Sequence, residues 1–436
     1  MKNSNITRRT FLQRASAAAV FAPMIIPSTA LGLGRRPAPS DRITMGCIGM
    51  GGQGKGNMKR FLQMDEIQVL AVCDVDRSRC NDARKIVEEH YAKDTPGRCY
   101  RGCATYNEFE RVLERDDIDV VSIATPDHWH AINAIEAARA GKDIYCEKPL
   151  AVTIHEGRAI SDAVRRYKRI WQTGSWQRSK RNFRFACELV RNGRIGKLHT
   201  VRIGLPKGKK GGSIKPEAVP EGFDYDRWLG PAPWAPYTRD RTHYDFRWML
   251  DYSGGIITDW GAHHCDTAHW GMGADYTGPV EIEGQGHFPR EDLWDTADTL
   301  YVEYLYADGV KVTLSDKGNP NAQGVRFEGD EGWVFVSRRK INSKPKSLLK
   351  SFIGADEVRL YHSTDHYQNF VDCVKSRAET ATPVEIAHRS ITVAHLGNIA
   401  MLLGRKLRWN PDTERFIDDP AANRLLTRSP REPWRI

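Results

Sequence analysis

Lys148 stands between Glu147 and Pro149, directly after the apolar run Asp143 to Cys146. An ammonium at the end of a strand can hold a reacting hydroxyl and stabilise alkoxide character as hydride leaves its carbon. Asp259 and His263 lie four residues apart in Asp259-Trp260-Gly261-Ala262-His263. On a helix that spacing puts both on one face, where the carboxylate favours the imidazolium formed when the histidine takes a proton. A lysine to hold the oxygen and a pair to take its proton suit oxidation of an alcohol, so the catalytic set is Lys148, His263 and Asp259. His264, Asp266 and His269 follow closely, and i, i+4 pairs can chelate. The lysine chemistry already accounts for these residues, and no metal is expected.

Hydride needs an acceptor. Ile43 to Ile48 reads as a short strand ending in Gly49-Met50-Gly51-Gly52-Gln53-Gly54, a G-x-G-x-x-G. A helical pattern runs to about Met64, a second strand runs from Ile67 to Cys73, and Asp74 follows 20 residues after Gly54. Gly49 permits the tight turn, Gly51 lets the backbone approach a pyrophosphate, and Gly54 lets helix and strand pack closely. Asp74 suits two ribose hydroxyls and repels a 2′-phosphate, so NAD is favoured over NADP. Arg77 nearby keeps NADP open. Thr125, Pro126 and His128 follow the strand Val120 to Ala124, and Glu147 and Lys148 follow the next one. The strand ends therefore complete the expected cofactor set: Gly49, Gly51, Gly54, Asp74, Thr125, Pro126, His128, Glu147 and Lys148.

The candidate substrate contacts are Gln177, Arg178, Tyr244, Arg247, Trp248 and His264. Gln177 and Arg178 follow the strand Trp171 to Ser175, and Tyr244-Asp245-Phe246-Arg247-Trp248 mixes aromatics with arginine. Sugar rings lay apolar faces on such rings while their hydroxyls seek charged partners. Lys207 to Gly212 and Arg338-Arg339-Lys340 read as solvated basic loops, with a lid or contact to an anionic glycan as the functional alternatives.

Strands separated by helices over residues 42–168 predict a doubly wound parallel sheet, a Rossmann domain that binds NAD. Residues 169–420 turn to strands with hairpin signals such as Ala307-Asp308-Gly309. They predict an α+β domain with an open, largely antiparallel sheet, late helices within 364–403, and a tail from 421 to 436. The fold class is thus α/β with a C-terminal α+β domain. Gly324 to Val336 is read as one strand.

Four motifs together resemble the Gfo/Idh/MocA oxidoreductases, the family of glucose-fructose oxidoreductase and inositol dehydrogenase. They are the glycine motif with Asp74, Thr125-Pro126 leading to His130, Glu147-Lys148-Pro149, and Asp259 to His263. The resemblance covers about residues 42–410. It implies a catalytic or substrate-orienting role for Lys148, proton transfer at Asp259 and His263, and a homo-oligomer through one face of the second sheet. The expected function is an NAD-dependent oxidoreductase acting on a sugar, glycoside or related polyol. The alternatives are a redox-neutral NAD-dependent glycosidase or epimerase and, third, a non-enzymatic sugar-binding module.

Composition limits partners and place. Bases outnumber acids 65 to 55, and four of the bases but no acid fall in the first 30 residues. The surplus that remains is too small and scattered to argue for nucleic acid. After residue 30 no apolar run reaches the ~18 residues of a membrane span, so an integral membrane protein is not expected. Residues 1–30 carry Arg8-Arg9, an Ala-rich apolar stretch and Ser28-Thr29-Ala30. They read as a twin-arginine signal peptide, with a flexible arm over 31–41, and imply a periplasmic or otherwise exported protein. The nine cysteines show no metal-finger spacing, and Cys47, Cys73 and Cys146 sit in core-like strands.

Overall fold

The structure is a computed structural model that describes residues 37–93, 99–316 and 323–436. The twin-arginine segment lies outside the described residues. Residues 43–436 form one compact unit.

Six parallel strands build the first sheet: β1 (Ile43–Ile48), β2 (Ile67–Cys73), β3 (Ala104–Tyr106), β4 (Val120–Ile123), β5 (Asp143–Cys146) and β6 (Trp171–Thr173), in the order β3-β2-β1-β4-β5-β6. Helices α1 (Gly52–Leu62), α2 (Arg77–Ala92), α3 (Phe109–Leu113), α4 (His130–Arg139) and α5 (Ile154–Arg166) alternate with them. β1, β4 and β5 are mostly buried along their length, as a sheet covered on both faces requires. Register sets the site. Ile48 pairs with Cys73 and with Ile123, and Ile123 pairs with Cys146. Gly49, Asp74, Ala124 and Glu147, each one residue further on, therefore stand in a row at the strand ends. β6 carries this sheet past the boundary read at 168.

The second half contributes α6 (Arg181–Arg191), β7 (Leu198–Gly204), α7 (Tyr225–Leu229), α8 (Ile256–Asp259), α9 (Gly261–Met272), β8 (Glu281–His287), β9 (Thr299–Leu305), β10 (Lys311–Ser315), β11 (Gly324–Gly329), β12 (Gly332–Val336), β13 (Ile341–Lys344), α10 (His366–Ser376), α11 (Val384–Leu403), β14 (Leu407–Asn410) and β15 (Arg415–Phe416). The nine-stranded sheet runs β13-β12-β11-β7-β10-β9-β8-β14-β15, antiparallel except between β7 and β10. The single strand read over Gly324 to Val336 is in fact a hairpin. Gly329 pairs with Gly332 across Asp330-Glu331, so the apolar run folds back on itself.

Helix α9 is buried on every side from Gly261 to Gly271, packed among α6, α11 and the sheet. Helix α11 is nearly as enclosed. A helix surrounded in this way loses the one-sided pattern that a surface helix shows. No helix among the described residues is long and apolar enough to cross a membrane.

Candidate functional site

A cavity of about 550 Å³ opens at the strand ends and joins both halves of the chain. Its nucleotide side is built by backbone. Gly49 has φ +85°, and a Cβ there would stand 2.6 Å from the Ala124 carbonyl and the Thr125 nitrogen. A Cβ on Gly54 would meet the Gly49 oxygen at 1.8 Å, so α1 packs directly on the loop. Gly51 caps α1 without a side-chain bond, and no acid lies in the first turn. The open N–H groups and the helix dipole there suit a phosphate. Gly49, Gly51, Asp74, Thr125, Pro126, Glu147 and Lys148 all line the cavity. These features fit a dinucleotide, which the glycine loop, Asp74 and Thr125-Pro126 would hold.

Asp74 is tied into the loop. Its carboxylate accepts from the Met50 N–H at 2.6 Å and the Asp76 N–H at 2.8 Å. Burial pushes its carboxyl above the usual range, partly offset by these two donors. Arg79, rather than Arg77, reaches the cavity, with Nη1 3.1 Å from where a Gly51 Cβ would lie. Glu147 accepts from Gln53 at 3.0 Å and Asn57 at 2.9 Å, fixing the end of β5 to α1.

The opposite wall carries the reacting groups. Lys148 Nζ donates to the Asp259 carbonyl oxygen at 3.0 Å and to its carboxylate Oδ1. Arg247 Nε lies 3.9 Å from Oδ2, and its guanidinium carbon stands 4.0 Å from the centre of the Tyr244 ring. Burial works to raise Asp259, but the charges of Lys148 and Arg247 outweigh it and hold the carboxyl below the usual range. Asp127, missed in the sequence, also lines the cavity and accepts from Ser253 Oγ at 2.5 Å. Burial pushes its carboxyl up to about 7. Its signal was its place, the lone carboxylate inside Thr125 to His130 at a strand end.

Several expected contacts are turned elsewhere. The Asp259–His263 pair does not form, because Asp259 closes α8 and is taken by Lys148 and Arg247. His263 sits in the first turn of α9 beside Trp260 and Trp176, with its Nδ1 buried and unpartnered. Burial, then the Lys148 and Arg338 charges, hold it well below the usual histidine range. His264 is buried against Trp260, neither ring nitrogen has a partner, and burial lowers it to about 3. Arg178 is no pocket residue: Asp266 and Asp275 hold it at 3.0 and 2.6 Å inside the core, over the Trp270 ring. Gln177 donates to the His263 carbonyl and accepts from Arg338 Nε, both at 3.2 Å, so it braces α9. Trp248 is buried beneath Lys209. His128 bonds the Trp228 oxygen at 3.0 Å and packs on Tyr252, away from the cavity. His130 spans the Pro149 and Thr125 oxygens at 2.7 and 3.0 Å, joining two of the strand-end loops.

Two loops read as solvated are held. Lys209 Nζ lies 5.5 to 5.9 Å from the rings of Trp248, Tyr244 and Trp294, and the Gly211 and Trp294 main chains bond to each other. The Arg338 guanidinium is 4.3 Å from the Trp176 ring and 4.4 Å from the Trp260 ring.

A strap from Pro220 to Trp248 covers the nucleotide side. Asp224 N–H donates to Val75 and Arg77 N–H to Gly222, both at 2.9 Å. Phe223, Arg227, Trp228, His243 and Phe246 then close the cavity wall.

Residues 43–175 match the profile described as "Oxidoreductase family, NAD-binding Rossmann fold", and residues 206–436 match "Oxidoreductase family, C-terminal alpha/beta domain". A curated relative, a glycosyl hydrolase family 109 protein of Shewanella pealeana, is 31% identical over 206 residues, 44% of each chain. The aligned part thus spans less than half of that relative's length. Among solved structures, the WlbA dehydrogenase of Bordetella pertussis in complex with NADH and UDP-GlcNAcA is similar at TM-score 0.63 and 16% identity, covering 85% of this chain and 99% of that one. The aldose-aldose oxidoreductase of Caulobacter crescentus is similar at TM-score 0.60 and 19% identity, covering 84% and 99%. At these identities the two structures speak for the fold.

Proposed function

The chain belongs to the Gfo/Idh/MocA oxidoreductase family, and from that premise we propose that it is an exported NAD-dependent oxidoreductase of sugars, glycosides or related polyols. The observation that carries this is one cavity lined by both the glycine loop and the Lys148–Asp259 pair. The WlbA dehydrogenase and the aldose-aldose oxidoreductase, sugar enzymes by their names, support the substrate class. When bound, NAD supplies a hydride acceptor that can also return what it takes.

The chain's own groups do the rest. Lys148 holds the reacting hydroxyl oxygen and stabilises its developing charge. Asp259 orients Lys148 and draws off the proton through it. Tyr244 and Arg247 meet the sugar at the cavity wall. Asp74, placed to accept ribose hydroxyls and to disfavour a 2′-phosphate, supports NAD over NADP. The strap over the nucleotide side supports a cofactor that stays bound through export. The exposed face of the second sheet, where Glu283, Tyr301 and Glu303 point outward, is the surface for a homo-oligomer. Single-turnover absorbance of NADH on mixing the purified protein with a panel of sugars tests the activity. No reduction by any sugar, with NAD demonstrably bound, would sink it.

A second reading has its own support. The curated relative is called a glycosyl hydrolase, and Asp127 is a carboxyl raised to about 7 in the cavity wall. Such a group holds a proton near neutral pH and can give it to a leaving oxygen. Sustained aglycone release from nitrophenyl glycosides, with no net NADH and no added NAD, favours this redox-neutral use of the same site.

A further inference from the structure

Trp176 lines a second open cavity of about 420 Å³, separate from the first. Its walls include Trp176, Lys180, Arg181, Asn182, Ser337 and Arg338, with no carboxylate among them. Lys180, Arg181 and Arg338 are exposed; the charges of Asp259 and Glu147 act on Arg338 from the reacting site, while no carboxylate lines the hollow beside Lys180 and Arg181. Elsewhere the molecule matches its half-buried arginines with acids: Arg158 binds Glu385 and Glu414, and Arg227 meets Glu108 and Glu110. Lys180 and Arg181 bring two positive charges to a hollow that no carboxylate lines, with Arg338 at its rim, and an anion there would meet all three. The first turn of α6, which Arg181 opens, has no acid to oppose one.

The cations are also placed by stacking. Lys180 Nζ lies 5.3 Å from the centre of the Trp176 ring, and the Arg338 guanidinium lies 4.3 Å from it. Arg338 in turn reaches the Trp260 ring, directly after Asp259. The hairpin tip after β12 thus carries Arg338 from the second cavity to the edge of the reacting site. Indoles flanked by cations match a saccharide that offers an apolar ring face and an anionic group.

We propose that this cavity is an anion subsite: it binds a carboxylate or sulfate ester on the saccharide residue next to the one being oxidised. The substrate is then an acidic oligosaccharide. The inference rests on the oxidoreductase reading for the word substrate, but the subsite can be measured without it.

The test is calorimetric titration of the purified protein with cellobiose, its 6-carboxylate and its 6-sulfate ester. At least one anionic probe should bind about tenfold tighter than cellobiose or better, as loss of a charge-assisted bond implies, and added salt should narrow the gap. Lys180→Gln combined with Arg181→Gln should erase the preference and leave the melting temperature unchanged. Whichever anion is preferred identifies the group. Equal affinities, no binding by either anionic probe, or a preference that survives the double variant would overturn the subsite. NADH absorbance is followed in parallel. Reduction by sugars without any anion preference leaves the oxidoreductase reading standing and removes the subsite; a preference lost in the double variant, with NAD never reduced, does the reverse.

Discussion

Lys148 Nζ donates to two atoms of one residue, the carbonyl and the carboxylate of Asp259, and so bolts the end of β5 to the end of α8. Both side chains are about four-fifths covered, with 19% and 17% exposure, enough to reach substrate and little enough to strengthen the pair. Lys148→Ala should lower single-turnover NADH formation by roughly 10²–10⁴-fold, ~3–5 kcal/mol of barrier, with NAD still bound. Asp259→Asn should cost less, because the lysine keeps its charge. A Lys148→Ala protein that is as fast as wild type would remove this lysine from the chemistry.

His263 is expected to separate from that pair in the same assay. Its ring packs against Trp260 and Trp176, while the Asp259 carboxylate is paired with Lys148. His263→Ala should therefore keep turnover within about tenfold of wild type and instead lower the melting temperature, since it leaves a gap in α9. A loss as deep as that of Lys148→Ala, at unchanged stability, would restore the imidazole as the base.

The contrast shows what the sequence could reveal. Gly49, Asp74, Thr125 and Lys148 were legible because main-chain geometry at a strand end is set by neighbours in the chain. His263, His264 and Arg178 were not, because which way they face depends on how α9 packs. Enclosed on every side, α9 has no polar face to read. Asp259 was legible as a site residue, but its partner came from a strand 111 residues away. Asp224 likewise finds Asn107 across 117 residues, so the strap has no local signature. Arg338 is exposed, as a solvated loop residue should be, but nothing near it in the chain foretells the two indoles it stacks on.

Asp127 gives a pH signature. Its carboxyl rises from 3.8 to about 7, chiefly through burial. The folded state therefore binds a proton that the unfolded state has released between about pH 4 and pH 7, and stability from this group falls as pH rises through that window. Asp127→Asn mimics the neutral form and still accepts from Ser253. Its melting temperature relative to wild type should climb between about pH 4 and pH 7 and level off above that. A difference that stays flat across this range would mean Asp127 is ionised throughout.

The proposed export rests on Arg8 and Arg9. With both replaced by Lys, fractionated cells should hold the protein in the cytoplasm; a normal exported fraction would defeat the twin-arginine reading.

Retention of the cofactor rests on how the strap is fastened. Arg431, from the segment read as a tail, donates to the Gly230 oxygen at 2.9 Å, the Asp226 oxygen at 2.7 Å and the Asp226 carboxylate at 2.6 Å. Trp434 lies 4.7 Å from the Trp129 ring, and the Arg227 guanidinium lies 5.8 Å from Trp434. The C-terminus thus clasps α7 and the strap to the first sheet's helices. Lifting the strap to free a nucleotide breaks these bonds together with those to Val75 and Gly222. Charge-assisted bonds contribute ~1.5–3 kcal/mol each, so loss of Arg431 and Trp434 should speed nucleotide release by about tenfold or more. Exchange of bound NAD against labelled NAD measures this, and wild type should purify loaded. Arg431→Ala with Trp434→Ala should release its cofactor during the same dialysis while the fold, followed by circular dichroism, persists. Equal exchange rates in the two proteins would show that the clasp does not govern retention, and wild type that purifies empty would show that the strap does not close on a nucleotide at all.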